Sequence, residues 1–191
     1  TGVNNTLIGA LAGDAITTGT HNVAMGQAAG SAVTTGGSNV LIGANAGDAL
    51  TASYRNVAIG SGALTSDTLG ARTTAIGYGA LQTQNFTSGT YSYNVALGYD
   101  SGASITTGTN NVLVGALAGD ALTDADENVA IGHAALTSDT LGSRSVAIGR
   151  EALTSQNFTS ATTAYNTAVG ANAGQAVTTG TNNTLIGGLA G

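Results

Sequence analysis

The chain has no cysteine, no lysine and little charge of either sign: Asp, Glu, Lys and Arg together make up 7% of its 191 residues. Without cysteine there are no disulfide staples and no thiolate metal sites. The cations are Arg55, Arg72, Arg144 and Arg150 alone, and the net charge is −6. The electrostatic footprint that phosphate backbones demand is therefore missing, and nucleic acid is not an expected partner. No apolar run reaches the ~18 residues a spanning helix needs and no charged-then-apolar leader opens the chain, so neither membrane insertion nor a signal peptide is expected. Catalytic constellations are lacking too. His21 and His133 stand many repeats apart and cannot form a metal pair. Asp14, Asp48 and Asp120 share a register position but never on neighbouring repeats, against a carboxylate dyad or calcium ladder. Asp124, Asp126 and Glu127 read as a solvated acidic corner. No nucleophile stands beside a base, so no enzyme and no cofactor is expected.

What the chain has instead is periodicity. A segment close to Asn-Val-Ala-Ile-Gly begins at Asn5, Asn22, Asn39, Asn56, Thr73, Asn94, Asn111, Asn128, Ser145, Asn166 and Asn183. The interval is 17 residues throughout, except for 21 after Thr73 and after Ser145. Self-similarity at a constant period predicts stacked coils rather than one globular knot. Thirty glycines and many polar residues would suit a disordered tract, but 42% of the chain is hydrophobic and the apolar residues fall in fixed columns.

With the opening Asn of each repeat as column 1, column 2 is always Val or Thr, column 4 a larger aliphatic and column 5 always Gly. Alternating branched residues followed by Gly predict a short strand ended by a bend. Columns 11 to 15, as in Ala15-Ile16-Thr17-Thr18-Gly19, predict a second short strand. The result is an all-β chain: a parallel β-solenoid or β-roll of eleven ~17-residue turns, about 50 Å long at ~4.8 Å per level. Stacked column 1 amides predict an axial ladder. Residues 1–191 read as a single repeat array, a fragment of a longer fibre, containing superrepeat units 22–93 and 94–165 related by an offset of 72 residues.

Column 3 lies between columns 2 and 4 and therefore faces the other side of the strand. It contains only Ala and Leu: Leu7, Ala24, Leu41, Ala58, Ala75, Ala96, Leu113, Ala130, Ala147, Ala168 and Leu185. A strand apolar on both faces is buried on both, and column 3 is expected to be the seam along which three copies pack into a homotrimeric rod.

The segments at 56–60 and 128–132 resemble the head repeats of YadA-like trimeric autotransporter adhesins. The Thr-Thr-Gly-x-Asn-Asn form at 106–111 and 178–183 resembles the repeats of bacteriophage tail fibres more closely. The likeness to adhesin heads implies a trimeric left-handed parallel β-roll in which each chain coils separately, from which this sequence departs in having longer turns. It implies a structural and attachment role on a virion or at an extracellular cell surface, with a host glycan or protein as partner.

Candidate receptor-binding residues are the tyrosines gathered near the long repeats, Tyr78, Tyr91, Tyr93, Tyr99 and Tyr165, because exposed aromatics on projecting loops serve recognition. Arg55, Arg72 and Tyr93 stack at the last column of successive repeats, as do Glu127, Arg144 and Tyr165, so cation–π support is expected there. Phe86 and Phe158 are expected to plug their own bulges. An alternative function is ice binding, through column 13, which is Thr in eight of ten complete repeats (Thr17, Thr34, Thr51, Thr68, Thr106, Thr123, Thr140 and Thr178).

Overall fold

A computed structural model describes residues 2–191. Eleven three-residue strands, from Thr6–Ile8 to Thr184–Ile186, pair in parallel in strict chain order to form one sheet. The register places column on column: Val40, Leu41 and Ile42 pair with Val57, Ala58 and Ile59. Among the described residues there is no helix. The chain is a parallel β-solenoid of about eleven turns, and each turn is one level of the stack.

The strand is short because column 5 ends it. These glycines have φ between 121° and 143°, a region closed to L side chains. A Cβ on Gly60 would meet the Gly77 carbonyl oxygen of the next level at 2.3 Å. The chain then turns through columns 7 and 9, and turns again at the last column, with φ near +60° at each, as at Leu11, Gly13 and His21. Left-handed non-Gly residues cost ~1–2 kcal/mol each. Level-to-level hydrogen bonds such as Thr6 N–H to Asn22 O (2.8 Å) and Gly26 N–H to Ile8 O (2.8 Å) hold them in place.

Column 1 forms the expected ladder. The Asn39 amide N–H donates to Asn22 Oδ1 at 3.1 Å, and Asn39 Nδ2 donates onward to the Ser53 carbonyl at 2.9 Å. Where Thr73 breaks the file, a glutamine replaces the missing amide. Gln84 Nε2 donates to Thr73 Oγ1 (3.1 Å) and to Asp67 Oδ2 (2.7 Å), while Gln84 Oε1 accepts from Asn94 Nδ2 (2.9 Å). Gln156 repeats this with Ser145, Asp139 and Asn166. Asp67 Oδ1 also accepts the Gly70 and Phe86 N–H groups, tying the bulge of the 21-residue repeat to the turn beneath. Phe86 and Phe158 are buried, plugging their bulges.

Two expectations fail. Columns 11 to 15 form turns, not a second strand. Their backbone still bonds between levels, as from Thr34 N–H to Thr51 O (2.9 Å), and ladder pairing outside the main sheet is confined to column 16 and its neighbour, at Gly37 with Tyr54, Ala71 with Tyr91, and Gly142–Ser143 with Thr162–Thr163.

The larger correction concerns column 3. Leu41, Ala58, Ala75, Ala96, Leu113, Ala130, Ala147 and Ala168 are 0% exposed in the single chain and Ala24 is 1% exposed. They are the core of the coil, not a seam between chains. Leu7 and Leu185, on the two terminal levels, belong to the same inner file; Leu7 is 42% exposed because a neighbour covers one side only, and Leu185 packs against the core.

The reason is the width of the coil. Column 9 faces the same interior, and the two columns trade volume. Leu41 sits between Gly30 and Gly47, where added Cβ atoms would meet its methyls at 2.6 and 2.8 Å. Leu113 sits likewise between Gly102 and Gly119. Where column 9 carries Leu64, Leu81, Leu136 or Leu153, column 3 is Ala. No level has Leu in both, and the levels with Ala and Gly (Ala24 and Gly30, Ala96 and Gly102, Ala168 and Gly174) are filled by Leu side chains of neighbouring levels, so the interior is closed.

Candidate functional site

Turning column 3 inward turns columns 2 and 4 outward. Val40 and Ile42, Val57 and Ile59, Val129 and Ile131 are half-buried, each shielded along the axis by like residues above and below. Ile8, Leu97 and Ile186 are 54%, 44% and 71% exposed. The outer face of the sheet is thus a straight ribbon of Val, Thr, Ile, Leu and Met, unbroken over eleven levels and about 50 Å long.

The second surface feature is aromatic. Tyr78 and Tyr99, on adjacent levels, stack with centroids 5.5 Å apart and planes 8° from parallel, both exposed. Tyr91 and Tyr93 meet edge to face at 6.1 Å. Arg72 joins the second pair: its guanidinium carbon lies 4.0 Å from the Tyr91 centroid and 5.5 Å from that of Tyr93, and Nη1 donates to Tyr93 Oη at 2.5 Å. Tyr165 stands apart with Arg144, 5.9 Å from its ring. Four of the five candidate tyrosines therefore fall into two clusters, and the fifth joins neither.

Beside Tyr91 lies a recess of about 180 Å³ lined by Ser38, Tyr54, Arg55, Ala71, Arg72 and Tyr91. Tyr54 is absent from the sequence-based candidates. It precedes the long repeat by a whole level, so its place only emerges when column 16 is stacked: Gly37, Tyr54, Ala71 and Tyr91 follow one another up the rod. Two tyrosines flank one alanine, and the alanine is the floor between them. The residues that aim Arg55 and Arg72 outward are the arginines themselves, at φ 60° and 61° in the last column.

Apart from Asp100 Oδ1, which is buried without a hydrogen-bond partner, the remaining polar clusters are satisfied internally. Asp124 Oδ1 accepts the hydroxyls of Thr106 and Thr107, both at 2.6 Å, and these bonds hold its carboxyl below the usual range. Glu127 accepts from Arg144 at 2.9 Å, which likewise lowers the Glu127 carboxyl and raises the guanidinium. Column 13 hydroxyls donate along the stack, Thr17 to Thr34 O (3.1 Å) and Thr51 to Thr68 O (3.1 Å). Among the described residues no group of three or more His, Asp or Glu side chains converges as a metal site. No known protein family, curated protein or solved structure matches the chain.

Proposed function

We propose that the chain is a shaft and attachment module of a homotrimeric fibre, borne on a virion or a cell surface, without enzymatic activity. The unbroken apolar ribbon of columns 2 and 4 carries this reading. The largest apolar patches that soluble monomers leave to water are ~300–600 Å² and are often functional, so a ribbon running the length of the rod points to a partner that covers it. Three ribbons facing a common axis would hide one another, and equal level heights let the chains match over their full length. The repeat resemblance to phage fibres and adhesin heads supports the same arrangement. Attachment to a host glycan or protein is assigned to the exposed tyrosines.

Light scattering tests the assembly. The expected mass is near three times the 18.4 kDa of one chain, and Ile59→Asp with Ile131→Asp should reduce it to that of one folded chain. A wild-type mass of one chain would overturn the fibre reading, and thermal hysteresis in that monomer would favour ice binding instead. Ice binding has the weaker support, because the column 13 hydroxyls already donate to carbonyls of the next level.

A further inference from the structure

We infer that the recess between Tyr54 and Tyr91 is a binding site for a single sugar residue bearing an anionic substituent, a carboxylate or a sulfate. The inference deepens the attachment half of the fibre reading by naming a ligand class. Its lining comes from one chain, so it stands or falls separately from trimer formation.

Charge is the first observation. In a chain of net charge −6 with four cations, two line this one recess. The other two are neutralised: Arg144 pairs with Glu127 at 2.9 Å and Arg150 with Glu151 at 2.5 Å. Among the described residues Arg55 and Arg72 have no carboxylate partner. Arg55 makes no side-chain hydrogen bond, and Arg72 donates only to Tyr93 Oη. Arg72 is nevertheless held in place, lying 4.0 Å over the Tyr91 ring. A fixed, unpaired guanidinium offers its remaining N–H groups as a preformed fork for a carboxylate or sulfate, the geometry in which Arg binds such groups best.

Shape and chemistry supply the second. Tyr54 and Tyr91 are half exposed, at 50% and 56%, and stand two levels apart with Ala71 between. That spacing is about 9–10 Å, and the Arg72 guanidinium covers one face of Tyr91, so the sugar ring is placed against Tyr54 beside the alanine floor. The recess is smaller than the ~300–1,000 Å³ of ordinary small-molecule sites, so it suits one terminal residue and not an extended chain. The Tyr54 ring gives an apolar face on which sugar C–H groups rest, and the phenol and Ser38 hydroxyls serve sugar hydroxyls.

The protein contains its own control. At the 72-residue offset, Tyr54, Arg55 and Tyr91 become Asp126, Glu127 and Thr163, while Arg72 and Tyr93 are kept as Arg144 and Tyr165. The second superrepeat has the same backbone and an arginine already spent on a glutamate. It should not bind.

The test is calorimetric or NMR titration of the intact chain with methyl β-glucuronide, 6-sulfated methyl glucoside and neutral methyl glucoside. One site per chain of about millimolar affinity is expected for at least one charged glycoside, with the neutral one roughly tenfold weaker or worse. Binding of the glucuronide identifies a carboxylate ligand, and preference for the sulfated sugar identifies a sulfate ligand. Arg72→Ala should abolish binding, and Arg72→Lys should weaken it about tenfold by losing the fork. Arg144→Ala and Tyr165→Ala should leave it unchanged. The triple substitution Asp126→Tyr, Glu127→Arg, Thr163→Tyr should raise the stoichiometry to two. Equal binding of the neutral glycoside, competition by plain sulfate at equal affinity, or indifference to Arg72→Ala would overturn the assignment. So would a cluster that serves self-association, seen as no glycoside binding together with a drop in assembled mass on Arg72→Ala. Failure here with a trimeric wild-type mass leaves the shaft intact and removes only the ligand.

Discussion

The two superrepeats, residues 22–93 and 94–165, share an interior and differ on the outside. Leu41 and Leu113, Leu64 and Leu136, Asp67 and Asp139, Gln84 and Gln156, Phe86 and Phe158 occupy equivalent places and are all buried. The surface does not follow. Tyr54, Arg55, Tyr78 and Tyr91 on the first unit become Asp126, Glu127, Arg150 and Thr163 on the second. A coil this narrow tolerates few interior solutions, so packing holds the inner columns fixed, whereas outward positions are free to carry recognition. On the proposed reading, the difference between the units is the difference between a spacer and a site.

That contrast can be broken at graded strengths. Leu41→Asp or Leu113→Asp should unfold the chain, because each buries an unpaired charge in a closed interior; Ile59→Asp and Ile131→Asp, one column outward, should leave circular dichroism and the melt of a single chain nearly intact. Equal tolerance of both columns would refute the inward assignment. Next come the glutamine bridges. Gln84→Ala and Gln156→Ala each remove the partner of one buried carboxylate oxygen and of one amide N–H, at a cost of about 2–4 kcal/mol, and chemical denaturation should find the two losses alike if the interiors are truly equivalent.

Acidity gives a smaller effect. Burial pushes the Asp67 carboxyl above its ordinary 3.8, against the pull of hydrogen bonds from Gln84, Phe86 and Gly70. The folded chain thus holds this proton more tightly than the unfolded chain. Its contribution to stability is greatest below pH 3.8, falls as pH rises from there to the raised folded value, and is level above it. Urea titrations across that range should show the wild type losing stability relative to Asp67→Asn as pH rises, and a constant difference would contradict this. Smallest of all is Glu127→Ala, which removes an exposed pair with Arg144 and should leave the melting temperature unchanged.

Much of this was legible in the sequence. The period gave the coil, glycine in column 5 gave the end of the strand, and nine asparagines gave the ladder. The direction of the strand faces was not obtained, because columns 2, 3 and 4 are all apolar and alternation alone cannot say which face is inside. The signal that decides it was nevertheless present: Leu and Gly trade places between columns 3 and 9, as in Leu113 with Gly119 against Ala130 with Leu136. Two columns that compensate in volume share a space. Tyr54 escaped because it lies one level outside the aromatic-rich long repeat, and columns 11 to 15 misled because their Thr and aliphatic residues serve turns whose carbonyls bond upward.

The shared interior of columns 3 and 9 is most directly tested by a double-mutant cycle between Ala130→Leu and Leu136→Gly, read by chemical denaturation. Ala130→Leu alone should overpack the coil and Leu136→Gly alone should leave a cavity, each losing about 2–4 kcal/mol. Together they should recreate the Leu-and-Gly arrangement of the level below, with the double variant at least about 1 kcal/mol more stable than Leu136→Gly alone. Losses that simply add would mean the two columns do not face one another, and the coil described here would be wrong.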